Sequence, residues 1–317
     1  MRAALITELG RPPQAGEAPE PEPRDGDVLL EVLAAPLNPI DVAVGSGRFY
    51  GGHPPLPYVP GCEAVGRVRG SERVVWAFGG GIGVARDGAM AELAAVAESS
   101  LTDVPEGADP ALAGALGIAG LAGWMPVAWR APVRAGETVL VLGATGTSGL
   151  VALQGAKALG AGRVVAAGRS AEGLRRAAEL GADATVRIDE AGDLVAALRE
   201  ACGGDGPTLI VDPLWGAPLE AAVEVAAPGA RIVHYGQSAG PTATLTSAAV
   251  RGKQLDLLGY SDFALPKDAR EAEYRRLVEL ATAGTIVVDV ERVPLDGIAE
   301  AWRRQSEGAG VKLVVVP

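Results

Sequence analysis

The segment VLVLGATGTSGLVALQGAKALGAGRVVAAGRS, Val139 to Ser170, decides the fold. Val139 to Leu142 are four apolar residues that run directly into Gly143, Ala144, Thr145, Gly146, Thr147, Ser148 and Gly149. Leu150, Leu153, Ala156 and Leu159 then recur at helical intervals, and Val164 to Ala167 form a second apolar run. Strand, tight glycine turn, helix, strand is the sequence form of a dinucleotide-binding βαβ unit. In this reading Gly143 lets the backbone turn, Gly146 removes the β-carbon that would hold a pyrophosphate away, and Gly149 lets the helix pack closely on the strand. The helix N-terminus offers unpaired N–H groups and partial positive charge to the phosphates. A chain with 44 glycines contains ordinary strand-to-helix turns as well. The strand and helix legible on either side of this one favour the cofactor site.

The end of the second strand bears on which dinucleotide is held. NAD sites place an Asp or Glu about 20 residues beyond the turn to accept hydrogen bonds from the adenosine ribose. Here the chain reads Gly168-Arg169-Ser170. Arg169 can pair with a 2′-phosphate and stack on adenine, Ser170 can donate to the same phosphate, and Arg175, one turn into the next helix, adds charge. NADPH is the expected cofactor. A solvated loop arginine and a polar helix face are the alternative readings of Arg169 and Arg175.

With 317 residues, 48% of them hydrophobic, the chain can bury two cores. A formal charge of −11 argues against nucleic acid or an anionic membrane as partner. No stretch reads as a membrane-spanning helix, and the start MRAALITELG lacks the apolar core of a signal peptide. Two cysteines, Cys62 and Cys202, cannot make a disulfide framework, so a reducing cytoplasm is expected.

Residues 1–117 alternate short strands with Gly and Pro and predict a β-rich, barrel-like domain. Residues 118–262 alternate strands and helices, which predicts an α/β Rossmann domain with a doubly wound parallel sheet covered on both faces. Residues 263–317 carry a helix, a strand, a short helix and a closing strand with no βαβ partner of their own, so they are expected to return to the first domain.

Taken in order, several short motifs make the chain resemble the zinc-free, quinone oxidoreductase group of the medium-chain dehydrogenase/reductase superfamily. They are Asn38-Pro39-Ile40-Asp41, Pro60-Gly61-Cys62-Glu63-Ala64-Val65-Gly66, Gly88 to Glu92, the Gly143 to Gly149 turn, Leu180 to Asp183, Val211-Asp212, and Leu295 to Ile298 ahead of Val311-Lys312-Leu313. The resemblance implies a discontinuous GroES-like catalytic domain, a Rossmann domain and a homodimer. It adds Gly168, Asp212, Gly236 and Lys312 to the candidate cofactor-binding residues. It also departs from the family at Gly173, where a lysine is frequent, which leaves phosphate recognition to Arg169 and Ser170.

Zinc-dependent relatives need Cys, His or acidic ligands around an open position. At the matching places this chain has Asn38, Cys62 and, near the third, Gly117, so no metal site is expected. Without a Lewis acid, alcohol oxidation is hard, whereas hydride addition to a quinone or α,β-unsaturated carbonyl, a small-molecule acceptor, is easier. Asn38 and Tyr50 are expected to line the nicotinamide and acceptor pocket, with Asp41 orienting its own loop rather than transferring protons. Asn38-Pro39 also reads as a plain turn and Tyr50 as a loop cap. His234, within a strand, reads as a satisfied core residue. Two other functions share the glycine turn: an enoyl-thioester reductase, and a non-catalytic NADPH-binding redox sensor.

Overall fold

The computed structural model describes all residues, Met1 to Pro317. The chain divides into two compact units. The first comprises Met1–Ala119, Lys267–Thr282 and Val288–Pro317, and the second Gly120–Pro266 with Ala283–Val287. The short return of residues 283–287 to the second unit has a local cause. Gln154 clamps Val287 from both sides, accepting from its N–H at 2.8 Å and donating to its carbonyl at 2.9 Å.

In the second unit six strands form one sheet in the order Ala184–Arg187, Arg163–Gly168, Thr138–Leu142, Leu209–Asp212, Arg231–His234, Asp256–Gly259, every neighbour pair parallel. In chain order that is 3-2-1-4-5-6, the doubly wound arrangement in which the strand order reverses beside the first strand. Both faces are apolar, which explains why the strands lack simple alternation. Leu140, Leu142, Val165, Ala167, Ile210 and Ile232 pack on one side with Leu198, Leu219 and Val223. Val139, Val141, Val164, Ala166, Val211 and Val233 pack on the other with Leu153, Ala156, Leu174 and Ala177.

The first unit is built on a mostly antiparallel sheet. Its order is Val290–Pro294, Lys312–Val316, Asp27–Pro36, Glu63–Val68, Val74–Phe78, Leu101–Asp103, with Leu93–Ala97 also paired to Asp27–Pro36. The C-terminal strands therefore join the sheet begun near the N-terminus, because Val314 and Val315 pair with Pro36 and Ala35. One core of Leu30, Leu37, Ala64, Val75, Met90, Ile298, Trp302 and Leu313 lies beneath them.

One segment departs from the sequence expectation. The helical run Pro110–Arg130 is long and apolar enough, by length and composition, to cross a membrane. It is mostly buried within the protein, and its regular helix is broken at Gly117, where ψ is −115°.

Candidate functional site

In the second unit, three loops meet at the carboxyl edge of the parallel sheet, where the strand order reverses. The first follows Thr138–Leu142. Gly143 there has φ +64°, and a β-carbon on it would come within 2.9 Å of Pro213 Cγ. Gly146 caps the helix Thr147–Ala158, and the nearest atom to a β-carbon on it would be the Gly143 carbonyl oxygen at 3.9 Å, so this face is open. Gly149 has no such room, since its β-carbon would overlap the Gly143 carbonyl and approach Ala144 Cα to 2.6 Å. Helix and strand are thus in contact at Gly149, the Gly146 N–H closes the turn by donating to Gly143 O at 3.3 Å, and the N–H groups of the first helical turn, from Thr147, face the open side where an anion would sit.

Thr145 turns toward the second strand. Its side chain fills the space beside Gly168 and Gly173, where added β-carbons would lie 2.5 and 2.6 Å from it. This packing accounts for glycine at position 173. Arg169 is exposed, and Ser170 caps the helix Ala171–Glu179 by accepting from Gly173 N–H at 3.0 Å. The capping hydroxyl retains its proton for donation. Arg175 instead pairs with Glu179 at 2.6 Å and Glu172 at 3.8 Å along its own helix.

The second and third loops follow Leu209–Asp212 and Arg231–His234. Asp212 is fully buried. Its Oδ1 accepts from Leu214 N–H at 2.9 Å and Trp215 N–H at 3.0 Å, and its Oδ2 accepts from His234 Nδ1 at 2.8 Å. His234 is therefore oriented by a carboxylate, and its side chain keeps 26% of its exposure, so it does not lie sealed in a core. Trp215 has φ +59° and ψ −166°, a region that suits glycine and costs other residues about 1–3 kcal/mol. Its ring lies 4.1 Å from the His234 ring. Gly236 lies against this turn, where a β-carbon would meet the Pro213 carbonyl at 2.5 Å, and Ala239 N–H donates to Leu214 O at 2.9 Å. The only sign of this arrangement in the sequence is an aromatic residue placed immediately before a glycine at a strand end.

In the first unit, Asn38, Asp41, Cys62, Glu63 and Lys312 converge in a buried network. Asn38 Nδ2 donates to Glu63 Oε1 at 2.8 Å and to Pro36 O at 3.3 Å. Lys312 Nζ donates to Asn38 Oδ1 at 2.6 Å and to Leu37 O at 2.9 Å. Asp41 accepts from Asn38 N–H at 2.7 Å and Cys62 N–H at 2.8 Å, which ties the turn at Asn38 to the strand entry at Cys62. Glu63 Oε2 accepts from Trp76 Nε1 at 2.7 Å and Ile118 N–H at 2.8 Å. Burial pushes the Glu63 carboxyl up to about 7, against the Lys312 charge and the hydrogen bonds, which pull it down. Burial likewise pushes Lys312 down to about 8, opposed by Glu63 and Asp41. Asp41 is raised by burial, and so is the Cys62 thiol.

Two residues singled out from sequence are thus turned inward. The Asn38 amide has its hydrogen bonds inside the protein, and the Lys312 ammonium is held by Leu37 and Asn38. Tyr50 is the reverse, 90% exposed with its ring 4.5 Å from Phe49.

Comparison with known proteins agrees with this architecture. Residues 24–106 match the alcohol dehydrogenase GroES-like domain, and residues 149–283 match the zinc-binding dehydrogenase family. The chain is 27% identical to human (Homo sapiens) quinone oxidoreductase over 322 residues, covering 98% of this chain and 95% of that one. It is 30% identical over 275 residues to mouse (Mus musculus) quinone oxidoreductase-like protein 2, covering 83% and 78%. A probable oxidoreductase from Mycobacterium abscessus superimposes with a TM-score of 0.82 at 30% identity, over 100% of this chain and 99% of that one. The sheet order and these matches define a medium-chain dehydrogenase/reductase. Within that superfamily the chain belongs to the quinone oxidoreductase-like group.

The second matched family is named for zinc, and the residues present do not fit that metal. A side chain at Gly117 would collide with Glu63 Oε2 and lie 2.5 Å from Trp76 Nε1, and Asn38 is bonded to Glu63 and Lys312. The chain contains no group of three or more His, Cys, Asp or Glu residues placed to hold an ion.

Proposed function

We propose that the chain is an NADPH-dependent oxidoreductase that transfers hydride to a quinone or α,β-unsaturated carbonyl without zinc. The observation that carries this reading is the filled space at Gly117, where the Glu63 carboxylate stands in place of a third ligand side chain. A zinc enzyme needs an open coordination position, and alcohol oxidation needs the Lewis acid that occupies it. A conjugated acceptor is already electrophilic, so hydride can enter it without a metal. The quinone oxidoreductase relatives support the same acceptor class.

A bound nicotinamide supplies the hydride. The N–H groups at the start of helix Thr147–Ala158 would hold the pyrophosphate, and Arg169 with the Ser170 hydroxyl would take the 2′-phosphate. Tyr50, exposed, donates to the oxygen on which charge develops. Asn38 and Lys312 act from within, fixing the Asn38–Asp41 turn. A second copy adds at the strand Asp256–Gly259, which is paired on one side and presents Leu257 at 46% exposure, to make a homodimer. The two free, buried cysteines are compatible with work in the cytoplasm.

The test is NADPH consumption with quinones, enones and enoyl thioesters as acceptors. Turnover of quinones or enones is the expected result. Turnover of enoyl thioesters alone would reassign the substrate, and turnover of none would make the chain a cofactor-binding protein without catalysis.

A further inference from the structure

The carboxylate that marks an NAD site is missing at the end of Arg163–Gly168, where Arg169 stands, but an acidic pair stands one strand over. Strand Ala184–Arg187 runs parallel to Arg163–Gly168 with Arg187 opposite Gly168, and Ile188 N–H donates to Gly168 O at 3.0 Å. The two chains leave the sheet side by side, about 4.8 Å apart, so Asp189 and Glu190 emerge beside Arg169 and Ser170. Arg187 holds both carboxylates. Its Nε donates to Asp189 Oδ1 at 3.0 Å, and its Nη2 donates to Asp189 Oδ2 at 3.1 Å and to Glu190 Oε1 at 2.6 Å.

We propose that Asp189 restrains the preference of this chain for NADPH over NADH, and that Arg187 sets how far by neutralising it. The inference rests on the nicotinamide reading above and names the residues that tune its adenosine end. Neither side chain needs to touch the cofactor. Both act through charge on the 2′-phosphate that NADPH carries and NADH lacks.

The balance of charge at this corner carries the argument. Arg169 and Arg187 bring two positive charges, and Asp189 and Glu190 bring two negative ones. Arg175 adds none, because it is paired with Glu179 and Glu172 along its own helix. A 2′-phosphate therefore meets Arg169 with no net positive field behind it, and its own charge of about −1.5 to −2 is repelled by each carboxylate that Arg187 fails to cancel. Asp189 lies within the field of Arg169: its carboxyl is held below the ordinary value first by the hydrogen bonds from Arg187 and, more weakly, by the Arg169 charge. Arg187 is 29% exposed and Asp189 42%, so water and salt reach the pair and its influence on a phosphate is modest.

The experiment is calorimetric titration of NADPH and NADH into the wild type, Asp189→Asn and Arg187→Gln, at low salt and again in about 0.5 M salt. At low salt Asp189→Asn is expected to lower the NADPH Kd about fourfold, the effect of one charge about 10 Å from a dianionic phosphate in water, and to leave the NADH Kd unchanged. Arg187→Gln, which releases the two carboxylates, is expected to raise the NADPH Kd about fourfold with NADH again unchanged. Both shifts fade in the high-salt titration. Tighter binding in Asp189→Asn is a gain that a damaged fold cannot produce, and unchanged NADH binding in Arg187→Gln shows that the unit remains folded. A wild-type ratio of NADPH to NADH affinity in Asp189→Asn at low salt, or an equal loss of both cofactors in Arg187→Gln, would overturn the proposal. If the wild type bound neither cofactor, the functional reading would fall and the proposal with it. If the wild type preferred NADPH while both variants kept its ratio, only the roles of Asp189 and Arg187 would fall.

Discussion

Glu63 Oε2 occupies the space into which a side chain on Gly117 would project, and the N–H groups of Trp76 and Ile118 both donate to that oxygen. A buried carboxylate thereby fills this space, and the nearby cation is Lys312, bonded to Asn38.

The first prediction concerns this internal charge pair. Glu63 titrates at about 7 rather than 4.5, so its stabilising contribution is full below about 4.5 and is lost as pH rises through about 7. Lys312 titrates at about 8 rather than 10.5, so its contribution is present above about 10.5 and is lost as pH falls through about 8. Lys312→Met removes the donor to Asn38 and Leu37 and leaves Glu63 without its cation. It should cost about 3–5 kcal/mol near pH 8, with a smaller gap at pH 5, where Glu63 is protonated in both proteins. Unfolding curves at the two pH values check this; a gap that does not change would detach Glu63 from Lys312.

The glycines of the turn separate folding from binding. Gly146→Ala places a methyl group in open space, so the variant should melt with the wild type while binding NADPH more weakly. Gly149→Ala forces helix and strand apart and should lower the melting temperature. Calorimetry and thermal unfolding read the two effects, and a Gly146→Ala protein with unaltered affinity would move the phosphates away from this turn.

Arg169 stands where an acidic residue would mark an NAD site. Arg169→Asp should cost about 1–3 kcal/mol of NADPH binding and leave NADH binding no weaker. Titration of both cofactors against both proteins decides this, and equal wild-type affinities would reject the discrimination.

Leu257 tests the edge strand. Leu257→Lys puts a charge on an exposed position of Asp256–Gly259 and should convert a homodimer to a monomer in sedimentation without lowering NADPH affinity. A wild type that sediments as a monomer would remove this surface from the account.

The parallel sheet was legible because its strands are continuous apolar runs, such as Val139 to Leu142 and Val164 to Ala167, separated by helices with apolar residues at helical spacing. The antiparallel sheet was legible in outline, and the return of Lys312–Val316 followed from its lacking a βαβ partner. Side-chain partnerships were not legible. Nothing near Gln154 announces that its amide holds Val287, which draws residues 283–287 into the second unit. Asn38 reads from sequence as a pocket-lining residue or a plain turn, and only the crossing of strands 27–36, 63–68 and 312–316 brings Glu63 and Lys312 onto it. Trp215 was invisible because its meaning lies in its backbone angles and in the neighbouring strand end at His234.

The central claim is hydride transfer to a conjugated acceptor without zinc. Its most direct test is single-turnover oxidation of NADPH by a quinone, with elemental analysis of the same protein sample. Enzyme-dependent oxidation with no stoichiometric zinc and no effect of a strong chelator is the expected result. One tightly held zinc per chain, whose removal abolishes the oxidation, would contradict it.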